Sequence, residues 1–218
     1  MQNTTLYLIR HSIKYDIKDI VENYNTSDNE QIKNEKLVLS VEGEKRAEIL
    51  SNEKELQNID IVYASVLVRT LETAKYLLEK QNLKINLDNR LDERRRGRPN
   101  DDIYPDWFTK QFFDENFKTL GGESQKDVRK RMDEVISEII KNNKGKRIAI
   151  FSHGYAIIYY LLKYCKLISV NVDRNITFSF NDKVVFDKKI SAPEVFKLVF
   201  DSIDKVISIE NLEFDDLK

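Results

Sequence analysis

Two histidines are all the imidazole in these 218 residues, and each stands among groups that suit phosphorus chemistry. His11 follows Arg10 directly, and His153 lies between Ser152 and Gly154. A neutral imidazole nitrogen is a good nucleophile near pH 7, while an arginine fork grips phosphate oxygens and draws off charge as phosphorus is attacked. Arg10, His11, Arg69 and His153 together would therefore suit phosphoryl transfer. When an imidazole attacks phosphorus, the departing alkoxide needs a proton, which a carboxyl group such as Glu93 could supply. Water then resolves the phosphohistidine, so one difficult displacement becomes two easier ones. In that scheme the electrostatics come from side chains. No His-x-x-x-His and no carboxylate cluster accompanies either histidine, so neither a metal nor another cofactor is expected. Taken singly, Arg69 also reads as a surface ion-pair partner and Glu93 as part of a solvated charge run.

These residues must be brought together by strands and helices. Leu6-Tyr7-Leu8-Ile9 and Ile148-Ala149-Ile150-Phe151 are short apolar runs that fit strands buried on both faces, and each ends at a histidine. In open α/β sheets ligands bind at the carboxyl ends of strands, so the two imidazoles are expected in one pocket. Ser40 reads as the N-cap of a helix running through Ala47 and Leu50. Ile59 to Ala64 reads as a strand, Leu67 to Gln81 as a helix with Arg69 near its start, and Ile85 to Leu87 as a short strand. The run from Asp92 to Pro99 reads as a loop, and Glu22 to Lys36 as a polar surface loop. Trp107, Phe108, Phe112, Phe113 and Phe117 suit either a short helix over a pocket or a core stripe. After Gly121-Gly122-Glu123-Ser124 comes a long helix through Ile140, then the strand ending at Ser152 and a helix after Gly154. Ala156 to Leu167 reads as continuous helix. Ile176 to Phe180 and Val184 to Asp187 read as a hairpin around Asn181-Asp182-Lys183, and Val206 to Ile209 as a last strand.

Composition narrows the rest. A chain of 218 residues fits one α/β domain, taken as residues 1–218, with no repeat, low-complexity tract or linker. With 36 basic and 37 acidic side chains, net charge −1, there is no global field to hold nucleic acid. The first residues lack a basic n-region and an apolar h-region, and no apolar run reaches the ~20 residues that span a bilayer, so no membrane partner is expected. The single cysteine, Cys165, has no intramolecular disulfide partner and reads as a buried thiol, which fits a cytoplasmic protein.

Six segments in order resemble the histidine phosphatase superfamily, also called the phosphoglycerate mutase-like family. Leu8-Ile9-Arg10-His11-Ser12 is similar to its Arg-His signature, and Leu39-Ser40 with Gly43 and Ala47 to its Leu-Thr-x-x-Gly-x-x-x-Ala helix start. Ala64-Ser65 with Arg69-Thr70 and Thr73-Ala74 resembles its Ser-x-x-x-Arg-x-x-x-Thr-Ala segment, and Leu91-Asp92-Glu93 with Gly97 its acid loop. Gly122-Glu123-Ser124 and Ser152-His153-Gly154 resemble the last two. The likeness spans Leu6 to about Leu162. It implies a three-layer α/β/α sandwich around a mostly parallel sheet, with His11 as nucleophile, Glu93 as proton donor, and Arg10, Arg69 and His153 holding the phosphoryl group. The Gly154 amide adds a contact in this reading. Ser12 stands where many members have Gly or Ala, and its hydroxyl either touches phosphate or caps the turn. Thr70, Thr73 and Ser65 read as structural.

Departures from the family's patterns bear on the branch. Mutases usually continue the first motif as Arg-His-Gly-Glu-Ser and soon place Trp-Asn, whereas this chain continues Ser12-Ile13-Lys14-Tyr15-Asp16. The segment after Gly97 lacks the Trp-Glu-Gly frequent in the family's small-molecule phosphatases. The expected activity is metal-independent hydrolysis of a small phosphomonoester. The alternatives are a phosphoglycerate mutase-type transferase, a noncatalytic phospho-ligand module and a metal-dependent hydrolase. Arg94, Arg95, Arg96 and Arg98 read as a solvated basic loop, with anion recognition as the competing reading.

Overall fold

The computed structural model describes residues 2–16, 30–97 and 106–217. In chain order these form β1 (Thr4–Arg10), α1 (Glu30–Glu35), α2 (Val41–Asn52), β2 (Ile61–Ala64), α3 (Val68–Gln81), β3 (Ile85–Leu87), α4 (Trp107–Phe113), α5 (Gln125–Asn142), β4 (Arg147–Ser152) and α6 (Gly154–Leu161). Five strands follow: β5 (Lys166–Val170), β6 (Ile176–Phe180), β7 (Lys183–Lys188), β8 (Glu194–Phe200) and β9 (Val206–Leu212).

The main sheet runs β3-β2-β4-β1-β8-β9. Its first four strands pair in parallel, and β8 and β9 extend it antiparallel beside β1. The apolar runs of β1 and β4 are buried to 1% exposure or less, as strands covered on both faces must be. Alternation sorts their side chains. Leu6, Leu8, Ile148 and Ile150 pack with α5 and α6, while Tyr7, Ile9, Ala149 and Phe151 pack with residues of α2 and α3. The result is the expected three-layer α/β/α sandwich. Each fully buried aliphatic or aromatic side chain in these layers contributes about 1.5–3 kcal/mol.

Local signals explain the helix starts. Ser40 caps α2 by accepting from the Gly43 amide at 3.0 Å, and Ser124 opens α5 with a reciprocal capping box to Asp127. The Asn181-Asp182 turn has φ of 50° and 61° at its two residues, the geometry of a two-residue hairpin, and it joins β6 to β7 as expected.

Four readings change. Residues 30–35 are helical, so the polar segment ending at Lys36 is not all loop, and its residues 22–29 lie outside the described ones. The helix after Gly154 stops at Leu161 rather than Leu167, because Lys166 and Leu167 leave it to begin β5. No glycine or proline marks that stop, and Lys163 alone could equally sit on an exposed helix face. Cys165 therefore sits between elements, buried as expected, with burial pushing its thiol up to about 12. Strand β8 was not anticipated, although Pro193 before Val195-Phe196 and Leu198-Val199-Phe200 would mark it, and the three-stranded sheet β5-β6-β7 exceeds the expected hairpin. No helix among the described residues is long and apolar enough to cross a membrane.

Candidate active site

Parallel pairing of β1 with β4 sets Arg10 opposite Ser152, so His11 and His153 leave neighbouring strands at the same sheet edge. Their rings lie 5.2 Å apart between centroids, and both are buried. Arg69 comes from the first turn of α3, which starts just beyond the carboxyl end of β2, and is 2% exposed. Its guanidinium donates to His153 Nδ1 at 3.1 Å and to the Asn34 carbonyl, near the end of α1, at 2.7 Å. Arg10 is tied on the opposite flank by donation to the carbonyls of Ile190 and Ser191 at 2.8 and 2.6 Å. The Nε atoms of Arg10 and Arg69 are buried without a partner, as is Ser12 Oγ. An orphaned buried donor costs about 1–3 kcal/mol, so these atoms favour an incoming anion.

Hydrogen bonds assign the ring protons. The Ser12 carbonyl can only accept, so His11 Nδ1, 2.7 Å from it, carries the proton and leaves Nε2 with a free lone pair. The guanidinium of Arg69 can only donate, so His153 Nδ1 accepts and His153 Nε2 donates to Ser65 Oγ at 2.7 Å. Burial first, and then the Arg69 charge, hold both imidazoles well below their ordinary pKa, with Arg10 adding to the effect. Both rings are neutral at pH 7. Burial also brings Arg69 down to about 10, against the opposing pull of Glu93.

Glu93 sits in the loop after β3 and faces the amino end of α6. One carboxylate oxygen accepts from the amides of Arg94 at 2.8 Å and Ala156 at 3.1 Å, and the other from the Tyr155 amide at 3.4 Å. A helix start is a favourable place for that carboxylate. The loop is braced from α5. Arg131 donates to the carbonyls of Arg90, Asp92 and Glu93 while bound by Glu123, and Glu123 also accepts from the Arg95 amide. Gly97, at φ 66°, lies so close to the Gly122 amide that an added Cβ would stand 2.5 Å from it. The Gly122-Glu123-Ser124 segment thus serves Glu93 by holding its loop.

The structure therefore gathers Arg10, His11, Arg69, His153 and Glu93. Other site residues went unanticipated. Ser65, read as structural, fixes the outer nitrogen of His153, and Thr73 Oγ1 accepts the Ser12 amide at 2.9 Å just after His11. Glu194 is 4% exposed, stands opposite Arg10 in the β1–β8 register, and accepts from Ser191 N and Oγ at 2.8 and 2.7 Å. It holds the segment whose carbonyls hold Arg10. Helix α2 supports the His11 segment, since Gly43 lies where a Cβ would come within 1.9 Å of the Ile13 carbonyl oxygen. Ser12 Oγ makes no hydrogen bond, so it does not cap the turn. Among the arginines, Arg94 is buried at 7% exposure against Tyr155 and Trp107, which corrects the solvated-loop reading for that residue. Arg98 lies outside the described residues. Phe112 is core and Phe113 is exposed, while Trp107 and Phe108 are half-buried beside arginines.

Comparison with known proteins bears on the fold and the family. The chain is 28% identical over 145 residues to phosphoserine phosphatase 1 of Hydrogenobacter thermophilus, covering 62% of this chain and 67% of that protein. A mycobacterial glucosyl-3-phosphoglycerate phosphatase superposes with a TM-score of 0.66 at 18% identity, covering 97% of each chain. A phosphoserine phosphatase mutant from Entamoeba histolytica, in complex with phosphoserine, gives 0.64 at 17% identity over 95% of this chain and 96% of that one. The model of the histidine phosphatase superfamily, branch 1, matches residues 6–177, and the chain belongs to that superfamily.

Proposed function

We propose that this protein hydrolyses small phosphomonoesters through a phosphohistidine at His11. The observation that carries this reading is the His11 ring: its Nδ1–H is anchored on the Ser12 carbonyl and its Nε2 lone pair is free in a buried site with Arg10, Arg69 and His153. Nε2 attacks phosphorus as the ester P–O bond breaks, and Glu93, which takes up a proton when the anionic ester binds beside it, passes that proton to the leaving oxygen. Water then attacks the phosphohistidine, Glu93 takes the water's proton, and the P–N bond breaks to release phosphate and neutral His11. Arg10 and Arg69 hold the phosphoryl oxygens, with the Ser12 hydroxyl and the Gly154 amide as further donors. A bound dianion favours protonation of His153 Nδ1, which turns that nitrogen from acceptor to donor while Ser65 keeps the ring in place.

The names of the relatives, which are phosphatases of phosphoserine and of a phosphoglycerate derivative, support hydrolysis of compact phosphorylated metabolites. We further read residues 1–218 as one domain, because β8 and β9 complete the sheet that β1 begins. The cytoplasm is the proposed compartment, on the single unpaired cysteine. Brief exposure to labelled phosphomonoester, with chelator present, is expected to give an adduct stable to alkali, labile to acid and mapping to His11. Label on a serine, or none in a single turnover, overturns the proposal. With a phosphoglycerate, inorganic phosphate rather than an isomer should accumulate.

A further inference from the structure

One cation close behind the nucleophile has no task in the scheme above. Lys14 stands three positions beyond His11, where the mutase motif Arg-His-Gly-Glu-Ser has its serine. Its backbone is fixed from both sides by α3, the helix that carries Arg69. Thr73 Oγ1 accepts the Ser12 amide at 2.9 Å, and Glu72, the preceding residue of α3, accepts the Leu39 amide. Leu39 faces Lys14 in a short antiparallel bridge, closed by donation from Ser40 N to the Ile13 carbonyl at 2.9 Å and from Tyr15 N to the Val38 carbonyl at 3.1 Å. Arg69, Glu72 and Thr73 are i, i+3 and i+4 on one helix face, so the face that delivers Arg69 also sets Lys14 beside it.

The Lys14 side chain is half-buried, and among the described residues no ion pair engages its ammonium. A lysine can lay its four-carbon stem on the protein and aim a compact charge with three donors into a pocket. That charge is felt throughout the cradle. Burial, then Arg69 and Arg10, hold His11 below its ordinary pKa, and Lys14 adds to them. Burial and then Arg69 in turn lower the proton affinity of Lys14, with Arg10 adding and Asp16 opposing. Cations crowded in this way repel until an anion comes between them. The nearby Nε atoms of Arg10 and Arg69 and the Ser12 hydroxyl, all buried without partners, leave room in the hydrogen bonding for that anion.

We infer that Lys14 is a third phosphoryl-binding cation, which grips the dianion of ester and product alike and so makes inorganic phosphate a restraining ligand of the enzyme. This rests on the hydrolytic reading above and adds a residue and a form of regulation to the same site. The arginines fix phosphoryl oxygens by directional bonds, whereas the lysine adds a mobile point charge that responds to how much negative charge the group carries.

Calorimetric titration of the full-length protein tests it with inorganic phosphate against dimethyl phosphate, a monoanion, at about pH 8, above the second ionisation of a phosphate group at about 6. Lys14→Met keeps the stem and removes the charge. It should lower the preference for inorganic phosphate about tenfold or more, and Lys14→Gln carries the same test should Lys14→Met lose the fold. With a turned-over ester, KM and the inhibition constant of phosphate should rise together by about the same factor while kcat stays within about threefold. An unchanged preference, an equal loss on both anions, or a fall in kcat with both constants unchanged overturns the role of Lys14. A dianion preference that depends on Lys14 without hydrolysis of any ester, aryl phosphates included, overturns the hydrolytic reading and leaves Lys14 as an anion ligand.

Discussion

The phosphate cradle and the aromatic wall near Glu93 are built by opposite means. In the cradle, His11, His153 and Arg69 are buried, and directional hydrogen bonds at 2.7–3.1 Å fix their ring protons and orientation. At the wall, Arg96 and Arg174 lie on aromatic faces about 5 Å away, held by contacts that fix distance more than direction. Chemistry on phosphorus needs near-attack geometry, which buried hydrogen bonds supply. Recognition of a variable alcohol needs charge and area, which a looser wall can change without disturbing the reaction.

Substitutions can break that contrast or sharpen it. His11→Ala should lower kcat by about ten-thousandfold or more on every ester, because the nucleophile serves all substrates alike. A single-turnover assay checks this, and a loss confined to some esters would contradict the division. Glu93→Gln should cost about 10²–10⁴-fold with alkyl phosphates and far less with an aryl phosphate, whose leaving oxygen departs without a proton. Equal losses on both would remove Glu93 as donor. Ser65→Ala leaves His153 Nε2–H without its partner and should cost about 1–3 kcal/mol in kcat, roughly five- to hundredfold, with a displaced acid limb in the pH profile. Glu194→Gln loosens the segment holding Arg10 and should raise KM and weaken vanadate binding about tenfold, with kcat less affected.

The smallest effect expected is on stability against pH. Both buried imidazoles have folded pKa values below the unfolded value near 6.5, so the unfolded chain gains protons first as pH falls. Their contribution is full above that pH and is lost below it. Asp92, raised by burial to about 6, works the other way and offsets part of the loss between pH 6 and its unfolded value. Denaturant midpoints without phosphate should therefore decline from pH 6.5 toward 5, and saturating phosphate should flatten the decline. A midpoint flat across that range without phosphate would mean that the cradle is not electrostatically frustrated.

Much of this was legible locally. Arg10-His11 and Ser152-His153-Gly154 sit at the ends of apolar runs long enough to be central strands, and parallel neighbours in an α/β sheet deliver their ends to one edge. Ser40 and Ser124 announce their helices because a cap is a contact within one turn. Other features were not legible because their partners lie far away in the chain. Glu194 matters through Ser191 and Arg10, Ser65 through His153, and Arg131 through the carbonyls of the Glu93 loop, and none of these pairings leaves a periodic trace.

By itself the sequence determined the strand ends, the helix caps, and the set of imidazole, guanidinium and carboxyl groups that suits phosphoryl transfer, since these depend on neighbours in the chain. Tertiary structure alone decided which imidazole nitrogen is free, which buried donors remain unpaired and which arginines lie over the aromatic rings near Glu93. Those properties depend on proton sharing, desolvation and like-charge crowding among residues up to 181 positions apart, as Arg10 and Ser191 are.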